Sequence, residues 1–334
     1  HEHARPTVSL VLLHPDGDRL PSGTAEWLEK RQLTGHFHVR WDREQDIERL
    51  ARYLSGRSVG LVLSGGGARG FAHLGAMHAL EEYNIPIDIV GGASMGAVLA
   101  AEYALGRSLE RIAHDTGRDV NRLLFDYTLP LTSLFAGRRM ARGLREIFGT
   151  VHIEDLWLPF FCISSNLTRA RQQVHRRGLL WPTIQASNAA PGILPPVVLD
   201  GDLHVDGALL NNLPADVMHA HCNGKVIAVD VSPAVDLQEI PPYGDGLSGW
   251  RVLWHKLNPL LSPLVMPGIR SILRRSGELA SISNRQQMLA EYAPYYLKMP
   301  VAHFQPEDYG RAKEIIKTGY DFARRELEGI FDDA

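Results

Sequence analysis

The chain is short of cysteine, of long apolar runs and of charge imbalance, and each shortage closes off a class of function. Only Cys162 and Cys222 occur in 334 residues. Two thiols build neither a CxxC pair nor the disulfide framework of a small secreted domain, so they read as free and reduced. Thirty-five Lys and Arg against 38 Asp and Glu leave a formal net charge of −3. No basic field is available to hold a polyanion, so no nucleic-acid partner is expected. No uninterrupted apolar run reaches about 18 residues, so no membrane-spanning helix is expected. The start, His1-Glu2-His3-Ala4-Arg5-Pro6, lacks the basic, apolar and small-residue segments of a signal peptide. It also lacks an initiator Met, which leads us to expect a piece of a longer protein. No HExxH motif is present. His36 and His38, and His219 and His221, have no third ligand at standard spacing, so no metal is expected.

What is present is an ordinary globular composition, 45% hydrophobic and 22% charged, long enough for one large domain or two small ones. Residues 7–13 read as a short buried strand, followed by a turn at residues 14–17. A helix is expected after Gly23, with Thr24 as its cap. Residues 37–41 alternate like a strand, and residues 46–54 carry apolar side chains at helical spacing. Residues 59–63 form a continuous apolar strand that runs into Gly65-Gly66-Gly67-Ala68-Arg69-Gly70. A helix follows over 71–83, then a strand over 85–90 ending in Gly91-Gly92-Ala93-Ser94-Met95-Gly96, then another helix to Leu105. Strand, helix, strand, helix in so short a span implies α/β architecture with a parallel sheet and right-handed crossovers. Beyond helices and loops over 108–148, further strands are expected at 160–164 and 225–231. Helices are expected over 181–190 and, amphipathic, over 309–327. Residues 233–267, rich in Pro, Gly and Trp, read as an irregular excursion.

Three short motifs carry chemistry. Gly92-Ala93-Ser94-Met95-Gly96 is a G-x-S-x-G at a strand-to-helix turn. Such a turn is sharp and strained, and it lifts a serine hydroxyl to the N-terminal end of a helix, where dipole and free N–H groups favour a developing anion. The plainer reading makes Ser94 a helix cap. The glycine run at Gly65 to Gly70 bares backbone N–H groups at a helix start, where an oxyanion or phosphate can sit. It also matches the dinucleotide fingerprint, with Asp88 near the distance of a ribose-binding acid, but Asp88 precedes the apolar part of its strand instead of following it. Gly66 and Gly67 are the best oxyanion donors, with Met95 as a further one. Arg69 either adds positive charge or pins the loop. The third motif is Asp206-Gly207-Ala208, where an apolar strand delivers a carboxylate into a turn. A desolvated Asp206 bonded directly to Ser94 would serve as its base without a histidine; Asp-Gly is also a common turn.

In this order the three motifs resemble the patatin-like phospholipases. The resemblance implies a three-layer fold with a mostly parallel central sheet flanked by helices and a nucleophile elbow. It implies Ser94 as nucleophile and Asp206 as base. The oxyanion hole falls on Gly65, Gly66, Gly67, Arg69 and Gly70, the elbow on Gly92, Met95 and Gly96, and the turn after the base on Gly207 and Ala208. No cofactor and no metal are implied. The stretches 23–28, 49–75 and 194–232 are similar to the neuropathy target esterase branch, which implies hydrolysis of carboxylic esters in lysophospholipids or phospholipids at membrane surfaces, on the cytoplasmic side. The rivals are a Ser–His–Asp α/β-hydrolase with His303 as base, and a catalytically silent lipid-binding module.

Residues 1–57 are read as a lead-in segment and 58–334 as the catalytic domain, with its motif core at 61–232 and a C-terminal extension at 233–334. Within that extension, Trp250, Trp254, Leu260, Leu261, Leu264, Val265, Met266, Ile269 and Ile272 stand among Arg251, Lys256, Arg270, Arg274 and Arg275. Such a mixture suits peripheral membrane contact or a lid over the acyl channel. Prolines 259, 263 and 267 exclude one continuous helix.

Overall fold

The computed structural model describes residues 8–15, 19–31, 33–123, 126–232, 246–258, 261 and 269–332. In chain order the elements are β1 (Ser9–His14), α1 (Thr24–Glu29), β2 (Gly35–Arg40), α2 (Glu44–Leu54), β3 (Ser58–Leu63), α3 (Phe71–Glu82), β4 (Ile89–Gly92), α4 (Met95–Ala104), α5 (Leu109–Leu123), α6 (Arg138–Phe148), β5 (Phe160–Asn166), β6 (Arg171–His175), α7 (Leu180–Ser187), β7 (Val197–Leu199), β8 (Asp202–Asp206), α8 (Ala208–Asn211), α9 (Ala215–His221), β9 (Gly224–Asp230), α10 (Gly249–Leu257), α11 (Ile269–Tyr292), β10 (Tyr295–Lys298) and α12 (Ala312–Asp332).

Eight strands form the main sheet. Hydrogen bonding runs β10-β9-β3-β4-β5-β8-β7, with β6 also on β5. The pairs from β10 to β5 are parallel, while β6, β8 and β7 pair antiparallel. Parallel strands covered on both faces read as unbroken apolar runs, as residues 61–63 do, each fully buried. Successive side chains divide between two cores. Leu61, Leu63, Val90, Cys162 and Val229 pack with α3, α4 and α12. Val62, Ile89, Phe161, Ile163 and Ala228 pack with α9 and with Leu289 and Tyr292 of α11. This is the helix–sheet–helix layering implied by the motifs.

Several expectations shift. The strand expected at 7–13 is β1, paired only with β2 in a separate two-stranded parallel sheet. It is half-buried, with Leu13 exposed, because a two-stranded ribbon has no second layer on both faces. Thr24 is the first helical residue and not the cap; Gly23 holds that position at φ 73°, and the Thr24 N–H donates to Asp155 Oδ1. The strand expected at 85–90 begins only at Ile89 and runs to Gly92. Residue 7, the tip of the turn at residues 16–17, and residues 233–245, 259–260 and 262–268 lie outside the described residues.

Candidate active site

The carboxyl ends of β3 and β4 lie side by side, since Leu63 pairs with Gly92. Both ends run into the glycine-rich turns. A Cβ on Gly92 or Gly96 would stand 2.4 Å from the Leu63 carbonyl oxygen, so no side chain fits where the elbow turns back over β3. Ser94 takes φ 51° and ψ −126°. A left-handed φ on a non-glycine residue costs energy and persists only where its surroundings hold it. Two residues next to the C-terminal end of α7 do the holding. The Ser94 N–H donates to Ser187 Oγ at 3.0 Å, and Asn188 Nδ2 donates to the Ser94 carbonyl at 3.1 Å. The Ser94 side chain makes no capping bond to α4, and its hydroxyl makes no hydrogen bond with any described residue. Ser94 thus occupies the N-cap position of α4 without capping it through its side chain.

Asp206 arrives from the other direction. Along one edge of β5, β6 pairs with residues 162–166. Cys162 pairs with both Gly92 and His175, and Ser164 with both Asp206 and Gln173. A ladder residue has one partner on each side, so β4 and β8 share the edge of β5 opposite β6. They meet there end to end. Gly92 and Asp206 face β5 positions two residues apart, about 7 Å along the strand, and Ser94 follows Gly92 by two residues. Asp206 is buried, its N–H donates to the Ala189 carbonyl, and its Oδ1 accepts the Ala208 N–H at 2.9 Å. No direct hydrogen bond joins Ser94 to Asp206 in this state; contacts of this kind often tighten only with substrate bound.

The glycine loop closes the third side. A Cβ on Gly65 would sit 2.9 Å from Ser94 Cβ and 2.7 Å from Asn212 Oδ1, so the loop approaches Ser94 as closely as bare backbone allows. The Gly65 N–H is engaged by Asn212 Oδ1 at 3.0 Å. Those of Gly66, Gly67 and Met95 make no hydrogen bond among the described residues. Arg69 is buried and its Nε donates to the Phe304 carbonyl at 2.7 Å, which ties the loop to the segment before α12. Below the loop, His73 Nε2 donates to the Ser64 carbonyl while Nδ1 has no partner. Complete burial holds this imidazole down at about 4, so it is neutral at physiological pH.

One residue that the motifs leave unassigned organises this corner. Asn212 is buried, and its side-chain amide spans the Gly65 peptide, accepting from N–H and donating to C=O at 3.3 Å, with a second donation to Ser232 Oγ at 2.8 Å. Ser232 in turn donates to Asp230, whose other oxygen takes Lys298 Nζ at 2.7 Å and Tyr296 OH at 2.7 Å. Burial opposes ionisation of Asp230, but Lys298 and Arg285 outweigh it and hold the carboxyl down at about 2. No local motif marks Asn212, which follows the Asp-Gly-Ala turn only after Leu209, Leu210 and Asn211. Elsewhere, His303 is exposed, stacks on Phe304 and makes no hydrogen bond to Ser94. Asp88 lies at the amino end of β4, where it pairs with Arg52 at 2.8 Å and accepts the Val59 N–H. That is the wrong end of the sheet for a ribose-binding acid.

Residues 61–219 match the family model of patatin-like phospholipases. The chain is 35% identical, over 97% of its length, to patatin-like phospholipase domain-containing protein 6 of Homo sapiens, and 34% identical, over 98%, to neuropathy target esterase sws of Drosophila melanogaster. It is 36% identical, over 91%, to lysophospholipase NTE1 of Saccharomyces cerevisiae. The chain spans 26%, 25% and 18% of these relatives, about a quarter of their length or less.

Proposed function

The chain belongs to the patatin-like phospholipase family, and from that premise we propose that it is a serine esterase acting on carboxylic ester bonds of lysophospholipids or phospholipids, with Ser94 as nucleophile and Asp206 as base. The observation that supports this reading is the meeting of β4 and β8 on one edge of β5, one strand leading to a serine on a strained turn and the other ending in a buried carboxylate. The Asp206 carboxylate takes the proton of Ser94 Oγ as the oxygen attacks the ester carbonyl carbon. The resulting oxyanion lies against the N–H groups of Gly66, Gly67 and Met95, each worth about 3 kcal/mol to the transition state. Collapse breaks the ester C–O bond, and the proton on Asp206 passes to the departing alcohol. Water then attacks the acyl-Ser94 carbonyl, giving its proton to Asp206. Ser94 leaves with that proton, and the fatty acid departs.

The relatives' printed names, phospholipase, esterase and lysophospholipase, agree with this substrate class. Among the described residues no helix is long and apolar enough to cross a membrane, and contact with the lipid surface is assigned to α10, peripherally and on the cytoplasmic side. Its side chains are all at least partly exposed, Trp250 at 82% and Trp254 at 64%. Residues 1–57 serve as a lead-in to a catalytic domain that begins with β3. The test is release of fatty acid from a panel of lysolipids and diacyl lipids. Asp206→Asn is expected to lower kcat about 10³-fold, and His303→Ala to leave it within about twofold. The reverse ranking would replace this dyad by a Ser–His mechanism.

A further inference from the structure

One member of each histidine pair that offered no metal site by spacing reaches a common cavity. His36 of β2 and His221, the last residue of α9, line one cavity of 180 Å³ at the amino ends of β4 and β5, the opposite end of the sheet from Ser94. Phe37, Ile89, Phe160 and Phe161 give it an apolar lining, and Tyr53 and Arg176 complete its polar side. Among the described residues no group of three or more His, Cys, Asp or Glu could hold a metal ion.

The electrostatics favour the other sign. Arg176 forms no ion pair and no hydrogen bond among the described residues. Arg176 is exposed at the mouth of the cavity; partial desolvation there, with Arg177 alongside, pulls its pKa below the usual guanidinium value, and the Tyr53 phenol opposes this. His221 is held down at about 4 by burial and by Arg176. His36 is lowered by burial first and then by Arg177 and Arg176, against the Glu154 backbone and side chain; the Glu154 carboxylate is itself occupied by the Gly178 N–H at 2.7 Å. Thus a solvent-exposed cation at the mouth and two neutral imidazoles border an apolar space, with no carboxylate acting on Arg176 or His221. A cation without a counter-charge beside a hydrophobic cavity is matched by a ligand that is anionic at one end and apolar at the other.

We propose that this cavity is a second, non-catalytic binding site for a short-chain carboxylate, with the carboxylate on Arg176 and the hydrocarbon against Phe160 and Phe161. The volume equals about six waters, which admits a tail of about five or six carbons; a longer chain must leave through the mouth. Inorganic phosphate satisfies only the charge and 1-hexanol only the lining.

The experiment is thermal unfolding of the Ser94→Ala protein, so that turnover plays no part, titrated separately with hexanoate, 1-hexanol and inorganic phosphate. Hexanoate is expected to raise the Tm saturably with a Kd on the order of a few millimolar, and the other two to give less than about a third of that shift at equal concentration. Arg176→Gln should fold, since its side chain has no partner to lose, and should lose the hexanoate shift. Ala220→Glu, at the rim of the same cavity, supplies a built-in carboxylate and should lose the shift while keeping or raising its own Tm; it decides the matter if the arginine variant misfolds. No hexanoate shift in the parent protein, an undiminished shift in Ala220→Glu, or a phosphate shift as large as that of hexanoate overturns the proposal. None of these outcomes depends on whether Ser94 is a nucleophile.

Discussion

At the scale of single residues, the account separates groups that react from groups that place them. In the proposed mechanism Ser94 and Asp206 belong to the first kind and Asn212 to the second. Its amide holds both polar atoms of the Gly65 peptide, so the two free N–H groups that follow are aimed by a side chain 147 positions away. Loss of one oxyanion donor costs about 10² to 10³ in kcat, and loosening the loop should cost less. Asn212→Ala is therefore expected to lower kcat about 10- to 100-fold with KM changed less than about threefold. An equal fall in kcat and rise in KM would show that Asn212 supports binding and not loop placement. Ser94, Asp206 and the glycine run were legible as candidates because each carries a local chemical pattern: a G-x-S-x-G turn, an Asp-Gly after an apolar strand, a cluster of glycines after another. Asn212, Ser187 and Asn188 were not, because their partners lie about 90 to 150 positions away and no local pattern records such a pairing. The role of Arg69 was undecidable for the same reason, since its Nε bonds the distant carbonyl of Phe304.

At the scale of elements, the apolar strands and the helices after them could be read from periodicity, because burial on both faces imposes unbroken runs. The edge elements could not. β6 reads Arg-Gln-Gln-Val-His, polar and only partly buried, and β10 has four residues, too few for a pattern to stand out. Nor does sequence reveal that β8 runs antiparallel into the same edge of β5 that β4 vacates, so that the strand ends leading to Ser94 and Asp206 meet. The C-terminal stretch expected to touch lipid is split. Leu260, Leu264, Val265 and Met266 fall outside the described residues, while α10 presents Trp250, Leu253, Trp254 and Leu257 to solvent. Indole rings suit the boundary between headgroups and acyl chains. Trp250→Ser with Trp254→Ser is expected to weaken co-sedimentation with phospholipid vesicles at least about tenfold while leaving hydrolysis of a small soluble ester within about twofold. Unchanged vesicle binding would remove α10 from the interface.

At the scale of the whole molecule, burial of neutral histidines sets the acid limit of the fold. His38, His73 and His175 are buried and held down at about 4, chiefly by desolvation. The unfolded chain takes up these protons near pH 6.5, while the folded chain resists until about 4. Stability is thus complete above pH 6.5 and is lost as pH falls toward 4, on the order of 3 kcal/mol for His73 alone. Asp230 behaves as a depressed acid. Its contribution is present above the unfolded value near 4 and is lost only as pH falls toward 2, so it adds a later loss. The Tm is expected to be flat from pH 8 to 7 and at least about 5 °C lower at pH 5; a Tm unchanged down to pH 5 would show that these imidazoles are hydrated in the folded protein.

Everything functional rests on one alcohol made acylable by one carboxylate beside it. The most direct test is mass-spectrometric mapping of the adduct left by a fluorophosphonate on the folded chain. The account predicts a single adduct on the peptide bearing Ser94, formed at least about 100-fold more slowly in Asp206→Asn and absent in Ser94→Ala. An adduct on another residue, or labelling of Ser94 at an undiminished rate without the Asp206 carboxylate, would contradict it.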